Sequence, residues 1–216
     1  MNPLSALFGR DEPGPPPDLR ALLGVAADAA VLLVDGALDQ DGAAVRAAFA
    51  DAERVVLGAE EGVGLPSRDG DATRLPPRDG GFDALVLLDV VDRVVEPEQA
   101  LRRAALSVRP GGPLLLVQAV APDDFELRGA WNALARLRDA RQTWTPTRRQ
   151  VRACAADAGL VRGDEALWEE SVDAAAGGRA ETAELRALYA AALAESGLVR
   201  NGRLTLRRAA AVLRPR

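Results

Sequence analysis

Continuous apolar runs recur along the chain and give the first indication of its architecture. They are rich in Val and Leu, as expected of parallel strands that are buried on both faces of a sheet. Segments of helical length separate them. This alternation predicts a doubly wound α/β sheet whose ligand site lies at the carboxyl ends of the strands. The runs cover residues 31–34, 55–57, 84–91 and 114–120.

Turn-forming residues mark the ends of the helices in the first half of the chain. The Ala-rich segment 42–51 is predicted to be helical, and residues 98–108 form a second predicted helix. Pro97 fits the first turn of that second helix, because proline lacks the amide hydrogen that a first turn leaves unbonded. The triplet Pro110-Gly111-Gly112 is predicted to end it.

The last third of the chain is predicted to contain two helices and a strand. Thr145 is the expected N-cap of a helix that ends at Gly159. Apolar residues recur at one-face helical spacing over residues 185–193 and predict another helix. After the Asn201-Gly202 turn, residues 204–213 are predicted to form the final strand.

Length and composition favour one globular domain. The chain has 216 residues, of which 48% are hydrophobic and 27% charged, which is ordinary for a folded domain. Residues 1–17 contain five prolines and two glycines, so we expect a flexible leader there and a single domain over residues 18–216. No apolar run is long enough to span a bilayer, and we expect a cytoplasmic protein with no membrane partner.

The net charge, the absence of histidine and the single cysteine limit the kinds of partner and chemistry that this chain can have. A net charge of −5 argues against a nucleic-acid partner and favours a small molecule or a protein. The chain has no histidine, which is the usual proton carrier near neutral pH, and one cysteine, Cys154, which we expect to pack in the core. Without histidine and with a single thiol, we expect no zinc or similar metal site.

A long ordered set of motifs resembles a known family. Residues 70–124 carry a Gly-Asp-Ala turn, a Leu-Pro step, Phe-Asp before a strand, Arg-Pro-Gly-Gly before the next strand, and Ala-Pro after it. This set resembles the class I S-adenosylmethionine-dependent methyltransferases of the ubiquinone/menaquinone-biosynthesis type. The resemblance extends more loosely over residues 20–216 and implies a Rossmann-like, mostly parallel sheet with S-adenosylmethionine as the cofactor.

The resemblance assigns the turn after the first strand to the methionine part of the cofactor. That turn contains Asp35, Gly36 and Ala37, but no glycine stands at the family's expected positions, and Leu33 replaces the family's acidic residue. We expect the carboxylates of Asp35 and Asp39 to repel the carboxylate of the cofactor.

The resemblance places the nucleoside at two further positions. Glu60 could accept the ribose hydroxyls if the second strand slips by one residue, although a solvated loop position explains Glu60 more simply. Asp71, beside Ala72, matches the family's adenine-binding position, and a turn-capping role is an equal alternative.

A deletion separates Gly58 from Gly70. The eleven residues between them are too few for the helix and strand that the family carries there. We therefore expect this helix and strand to be shortened or missing, with residues 63–65 as a strand remnant at most. The edge of the second strand that this exposes could be covered by a protein partner.

The family's histidines are replaced by other residues. Asp92 and Arg93 stand at the paired-histidine position after the fourth strand, and Gln142 stands at a third one. The expected substrate-facing residues are Arg138, Asp139 and Gln142, and Asp89 is assigned to the cofactor. Solvated surface positions explain the acids Asp89, Asp92 and Asp139 more simply.

Three functions are compatible with this sequence. The first is S-adenosylmethionine-dependent methyl transfer to a small molecule. The second is a non-catalytic pseudo-methyltransferase that has lost cofactor binding and acts as a partner or regulatory subunit. The third is a pocket for another, anionic ligand near Arg138, Arg141, Arg148 and Arg149, although surface ion pairs explain these arginines more simply.

Overall fold

The computed structural model describes most of the chain, and its described helices and strands alternate, as the apolar runs predict, from α1 to β2 and from β4 to α4. The strands are β1 Val31–Asp35, β2 Glu53–Leu57, β3 Ser67–Gly70, β4 Ala84–Leu88, β5 Leu114–Val120, β6 Leu160–Asp173, β7 Val199–Arg200 and β8 Arg203–Pro215. The helices are α1 Leu19–Leu23, α2 Ala43–Ala48, α3 Pro97–Ala105, α4 Phe125–Arg138 and α5 Arg148–Asp157. The structure describes residues 13–37, 41–57, 67–70, 81–138, 142, 144–173, 184, 187, 191, 193–195 and 197–215.

These residues form one mixed sheet of eight strands in the order β3-β2-β1-β4-β5-β8-β6, with β7 beside β8. Strands β1 to β5 are parallel, whereas β8 is antiparallel to both of its neighbours on this path. From β1 the chain crosses to β2 on one side, and from β4 it crosses to β5 on the other. The sheet therefore has its topological switch point between β1 and β4, where open α/β sheets bind ligands. The predicted fold class is confirmed.

The strand between β2 and β4 is shortened, as predicted, but it is not lost. Strand β3 has four residues and pairs in parallel with β2, in a register that sets Ser67 opposite Arg54. The expectation of an exposed β2 edge is therefore wrong, because β3 covers it. The suggested remnant at residues 63–65 lies outside the described residues.

Strand β6 is the main element that the sequence pattern does not predict. It has 14 residues, and many of them are polar, so a search for continuous apolar runs misses it. Its partner β8 confirms the predicted final strand. The predicted Asn201-Gly202 turn precedes β8, with both residues at positive φ (50° and 73°). At the outer edge of β6, the Gly14 amide donates to the Leu167 carbonyl, so the chain contacts the sheet four residues before Asp18.

Two helix boundaries differ from the prediction. Helix α5 begins after Thr147, not after Thr145, because Thr147 and Gln150 form a reciprocal capping box at its first turn. The helix ends at Ala158 and Gly159, as predicted, with Gly159 at a φ of 78°. Helix α3 ends at Ala105 instead of continuing to Val108, because Val108 pairs with Phe82 in an isolated β-bridge.

Apolar side chains cover both faces of the sheet. Leu32, Val34 and Leu87 pack with α3 and α5 on one face, whereas Leu33, Val86 and Leu88 pack with α1 and α2 on the other. Cys154 belongs to the first of these clusters, and its burial raises the pKa of the thiol to about 12, in keeping with the predicted packing role. Among the described residues, no helix is long and apolar enough to cross a membrane.

Candidate functional site

Strand β1 ends at the switch point with Asp35, whose carboxylate forms ion pairs with two arginines of the protein. Asp35 is fully buried. Its Oδ2 lies 2.6 Å from Arg46 Nε and 2.5 Å from Arg54 Nη2, and its Oδ1 accepts a hydrogen bond of 3.1 Å from the Ala37 amide. Two arginines thus offset the charge of Asp35, which weakens any repulsion of the cofactor's carboxylate; that repulsion stays a prediction. Asp39 lies outside the described residues.

The turn after β1 rests directly on the end of β4. The Gly36 amide donates a 2.7 Å hydrogen bond to the Leu88 carbonyl. A Cβ atom on Gly36 would lie only 2.2 Å from the carbonyl oxygen of Asp89, and Ala37 is buried beside it. Among the described residues, this arrangement leaves no cradle for the methionine part of S-adenosylmethionine, so the turn does not fit that group as it stands. The cofactor roles of Asp35, Gly36 and Ala37 stay predictions.

Asp89, the first residue after β4, is buried and bonded on several sides. Its backbone has a φ of 48°, an uncommon value outside glycine. Its Oδ1 accepts hydrogen bonds from the Ala119 amide at 2.8 Å and from Gln118 Nε2 at 3.4 Å. Arg208 Nη1 lies 2.9 Å from Oδ1 and 2.8 Å from Oδ2. The interpretation of Asp89 as a solvated surface acid is therefore wrong.

Arg208 connects the end of β4 to the antiparallel half of the sheet. It is fully buried on β8, and its Nε donates a 2.5 Å hydrogen bond to Glu170 on β6. The Glu170 carboxylate in turn accepts a hydrogen bond from the amide of Gly42, the residue that precedes α2. Burial alone would lower the pKa of Arg208, but the carboxylates of Asp89 and Glu170 raise it above its usual value. A chain of hydrogen bonds thus links Gly42, before α2, through Glu170 on β6 and Arg208 on β8 to Asp89, after β4, and we refer to it as the Arg208 network.

A small polar cavity lies beside this network at the carboxyl ends of β4 and β5. Its volume is about 30 Å³. Polar and charged side chains lie on one part of its wall, and Trp131, Ala135, Leu204 and Leu206 form an apolar part. The polar and charged lining residues are Asp41, Asp89, Asp92, Arg93, Gln142 and Thr145.

Asp92 is the most unusual acid in this cavity. It is only 1% exposed, so its interpretation as a solvated surface acid is also wrong. Gln142 Nε2 donates a 2.6 Å hydrogen bond to Asp92 Oδ2, and Arg93 Nε lies 4.0 Å from Oδ1. Burial, followed by the nearby charge of Asp89, raises the pKa of Asp92 from 3.8 to about 7, against the lowering effects of Arg93 and Gln118.

Gln142 also fixes the geometry around Asp92. The same Nε2 donates to Thr145 Oγ1 at 2.9 Å, and the Thr145 amide donates to Asn132 Oδ1 at 2.6 Å. The structure therefore brings the predicted substrate residue Gln142 to Asp92, and it places Thr145 in the cavity wall instead of at a helix cap. The sequence signal for Asp92 was its place at the family's histidine position, but its burial could not be deduced from that place.

Several predicted site residues cannot be placed. Arg138 is the last residue of α4, and its side chain is outside the described part of the structure. The other predicted positions outside the described residues are Glu60, Asp71, Ala72 and Asp139, together with Arg141.

Of the arginines considered for an anionic ligand, Arg148 forms an ion pair within the protein, as the simpler explanation predicts. Arg148 Nη2 lies 2.8 Å from Glu165, which also pairs with Arg152 at 2.6 Å and Arg162 at 2.9 Å. Burial raises the pKa of Glu165, but the hydrogen bonds and charges of Arg152 and Arg148 lower it by more, so that the pKa lies below its usual value. Within the described ranges, no group of three or more Cys, Asp or Glu residues could hold a metal ion.

Comparisons with known proteins agree with this architecture. Residues 31–116 match the family model described as a methyltransferase domain. Demethylmenaquinone methyltransferase of Mycolicibacterium paratuberculosis is 37% identical over 103 residues, which are 48% of this chain and 43% of that protein. The chain thus spans less than half the length of this curated relative.

Solved structures share the fold over almost the whole chain. The YcgJ protein of Bacillus subtilis has a TM-score of 0.69 at 18% identity, with 92% of this chain and 96% of that one covered. Phosphoethanolamine N-methyltransferase 2 of Haemonchus contortus, in complex with S-adenosyl-L-methionine, has a TM-score of 0.52 at 12% identity, with 99% and 56% covered. Residues 31–116 are thus similar to a methyltransferase domain, about half of the chain is similar to a demethylmenaquinone methyltransferase, and the chain shares its fold with these solved structures.

Proposed function

We propose that this protein is an S-adenosylmethionine-dependent methyltransferase that acts on a small molecule. The observation that carries the proposal is the polar cavity at the carboxyl ends of β4 and β5, beside the switch point of a sheet with this family's strand order. Ligands of such sheets bind outside the carboxyl ends of the strands. The acceptor molecule is assigned to this cavity, with Asp92 and Gln142 in contact with it.

The proposal requires the site to open. A cavity of about 30 Å³ holds roughly two water molecules, whereas sites for small organic ligands usually measure about 300–1,000 Å³. The Gly36 amide must also leave the Leu88 carbonyl before a cofactor can approach between β1 and β4. We therefore expect slow or weak cofactor binding compared with a preformed site.

The direct test is calorimetric and thermal-shift titration with S-adenosylmethionine and S-adenosylhomocysteine. A bound ligand at about 100 times its dissociation constant stabilises a fold by roughly 3 kcal/mol, so binding should raise the melting temperature clearly. Asp71→Ala should abolish the effect if Asp71 binds the adenine, whereas Asp123→Ala, at an exposed position, should leave it unchanged.

A binding-competent protein should then be screened for methyl transfer. Mass spectrometry of product mixtures from a panel of phenols, enols, amines and carboxylic acids identifies the acceptor without a prior choice of substrate. No heat and no thermal shift at millimolar ligand would contradict the proposal and favour the non-catalytic alternative, in which the domain serves as a partner subunit.

A further inference from the structure

We propose that the outer edge of β6 is a self-association surface for a second copy of this chain, and that residues 13–17 keep this surface covered. We refer to these five residues as the strap. The inference goes beyond the proposed function, because it rests on backbone pairing at one edge of the sheet and involves neither a cofactor nor a substrate.

The backbone of β6 faces outward at every second residue. Strand β6 has 14 residues and is the last strand in the order of the sheet. In an antiparallel pair, alternate residues turn both their N–H and C=O groups away from the neighbouring strand. Leu167 is such a residue, because its carbonyl accepts the amide of Gly14. Glu165 and Glu169 therefore turn their backbone groups outward as well, and an edge of this kind is a template for another strand.

The strap covers the middle of this edge. The Gly14 amide donates a 2.8 Å hydrogen bond to the Leu167 carbonyl, and Gly14 pairs with Trp168 in a parallel bridge. At its other end the strap leads into Asp18, whose side chain caps α1. Prolines occupy all of residues 15–17 between these two anchors, and their fixed φ reduces the entropy that the strap loses when it is held in place.

The prolines also prevent the strap from acting as a new edge. Because Gly14 turns its backbone toward β6, its neighbours Pro13 and Pro15 turn theirs away from the sheet. Neither proline has an N–H group, so the outer side of the strap offers no donor at these two positions. Proline at such positions is a common means of blocking further strand pairing. The sheet therefore ends at the strap.

The two ends of β6 are protected by other means. The Ser171 carbonyl accepts a 2.5 Å hydrogen bond from Arg203 Nη2, and Ser171 Oγ accepts one of 3.1 Å from Arg203 Nε. Near the start of β6, the register with β8 shifts between Arg162 and Glu165, and such bulges disturb regular pairing at an edge. The stretch that remains suitable for a partner strand is thus residues 165–169, where the strap lies.

Charge favours a second copy of this chain as the partner. If two copies of β6 pair antiparallel around a two-fold axis at Leu167, Glu169 of each copy lies opposite Glu165 of the other. Glu165 lies among three guanidinium groups, at distances of 2.6 to 2.9 Å. The Glu169 carboxylate of the second copy would therefore approach a cluster of arginines, and the symmetry of the pair forms this contact twice.

The first test asks whether the strap is bound in solution. Amide hydrogen exchange is measured by NMR on the full chain and on a synthetic peptide of residues 8–18. The Gly14 amide should exchange at least about tenfold more slowly in the protein, because it is bonded to Leu167. Equal exchange rates would mean that the strap does not cover β6 and would overturn the proposal.

The second test displaces the strap in the full chain. Gly14→Pro removes the amide that bonds to Leu167, whereas the control Pro17→Ala lies outside the bridge with β6. Analytical ultracentrifugation from micromolar to near-millimolar protein measures the dimer dissociation constant. We expect this constant to fall at least about tenfold in Gly14→Pro and to keep its wild-type value in the control, because backbone groups of β6 become available for pairing.

A second variant keeps the strap in place but restores its outward donors. The double variant Pro13→Val, Pro15→Val leaves the Gly14 amide intact and adds two outward N–H groups, so the strap becomes an ordinary edge strand. It should also self-associate more strongly than the wild type. If neither this variant nor Gly14→Pro associates more strongly than the wild type, the proposal is overturned.

Hydrogen exchange with mass spectrometry then locates the contact. When the concentration of Gly14→Pro is raised, the new protection should be confined to peptides that cover β6. A dimer that protects other segments and leaves β6 unchanged contradicts the assignment of this edge. The outcome does not depend on S-adenosylmethionine binding, so the proposed function and this inference can fail separately.

Discussion

Two buried aspartates lie at the same end of the sheet in opposite electrostatic surroundings. Asp35, at the end of β1, forms ion pairs with Arg46 and Arg54 and accepts a hydrogen bond from the Ala37 amide. Asp92, beyond the end of β4, accepts a hydrogen bond from an uncharged amide and has Asp89 nearby. The first arrangement stabilises a carboxylate and closes the turn, whereas the second leaves a carboxyl group that can exchange a proton near neutral pH.

This difference suggests that the end of β1 has a structural role and the end of β4 a functional one. The β1 end has become part of the scaffold, because its polar groups bond to the protein itself. The β4 end keeps a polar cavity beside an acid with a raised pKa, and strongly perturbed acids in clefts are typical of functional sites. Under the proposed function, the acceptor would bind at the β4 end, and the β1 end would have to rearrange before a cofactor enters.

The largest predicted effect concerns the Arg208 network, which joins the two halves of the sheet. Arg208→Met removes the cation between Asp89 and Glu170 and leaves two carboxylates without it. Loss of one partner of a buried ion pair typically costs about 3–5 kcal/mol, so the free energy of unfolding in urea should fall by that amount.

The matched control is Arg162→Met, in the same antiparallel pair of strands, β6 and β8. Arg162 is half exposed, and its partner Glu165 keeps Arg148 and Arg152. This change should cost no more than about 1 kcal/mol. Equal losses in the two variants would show that the Arg208 network is not the junction between the β4 end and the antiparallel strands.

The second prediction tests how tightly the β1 turn is closed. Gly36→Ala places a methyl group 2.2 Å from the Asp89 carbonyl, so the backbone must move. We expect a loss of about 2–3 kcal/mol in urea unfolding, as for other overpacked sites. A Cβ atom on Gly129, within α4, would meet no side chain or other element within 4 Å. Gly129→Ala should therefore stabilise the protein by up to about 1 kcal/mol. A neutral Gly36→Ala would mean that the turn is open in solution.

The sequence predicts the scaffold better than the site because the two depend on different signals. The apolar runs at residues 31–34, 84–91 and 114–120 predict strands β1, β4 and β5, because strands buried on both faces need continuous apolar sequence. The antiparallel strand β6 carries no such run. Its polar residues include Glu170, which bonds to Arg208, a pairing of residues 38 positions apart that no local pattern reveals.

The site residues illustrate the same limit. Family position pointed to Asp92 and Gln142, and the structure brings them together. Burial and neighbouring charge determine what an acid does, and neither could be read from sequence for Asp35, Asp89 or Asp92. The Thr147-Gln150 capping box, by contrast, is visible in the sequence as a Thr followed three residues later by Gln, so the correct helix start could have been predicted in place of Thr145.

The last prediction compares the two aspartates by the same substitution. Asp35→Asn removes the carboxylate charge that Arg46 and Arg54 contact at the turn, and we expect a loss of about 2 kcal/mol, less than for a fully buried pair because both arginines reach solvent. Asp92→Asn removes an acid that burial penalises, so its unfolding free energy at pH 8 should equal or exceed that of the wild type.

The stability difference between the wild type and Asp92→Asn should depend on pH, and the direction of that dependence distinguishes Asp92 from Asp35. With a folded-state pKa of about 7 against the ordinary 3.8, the folded wild type holds a proton at Asp92 that the unfolded chain has released. Wild-type stability relative to Asp92→Asn is therefore highest below about pH 4, falls as the pH rises, and levels off above about pH 7. The full difference is at most about 4 kcal/mol, at 1.36 kcal/mol for each pKa unit. Urea unfolding of both proteins at pH 5 and pH 8 measures it, and a difference that does not change with pH would mean that Asp92 is as well stabilised as Asp35.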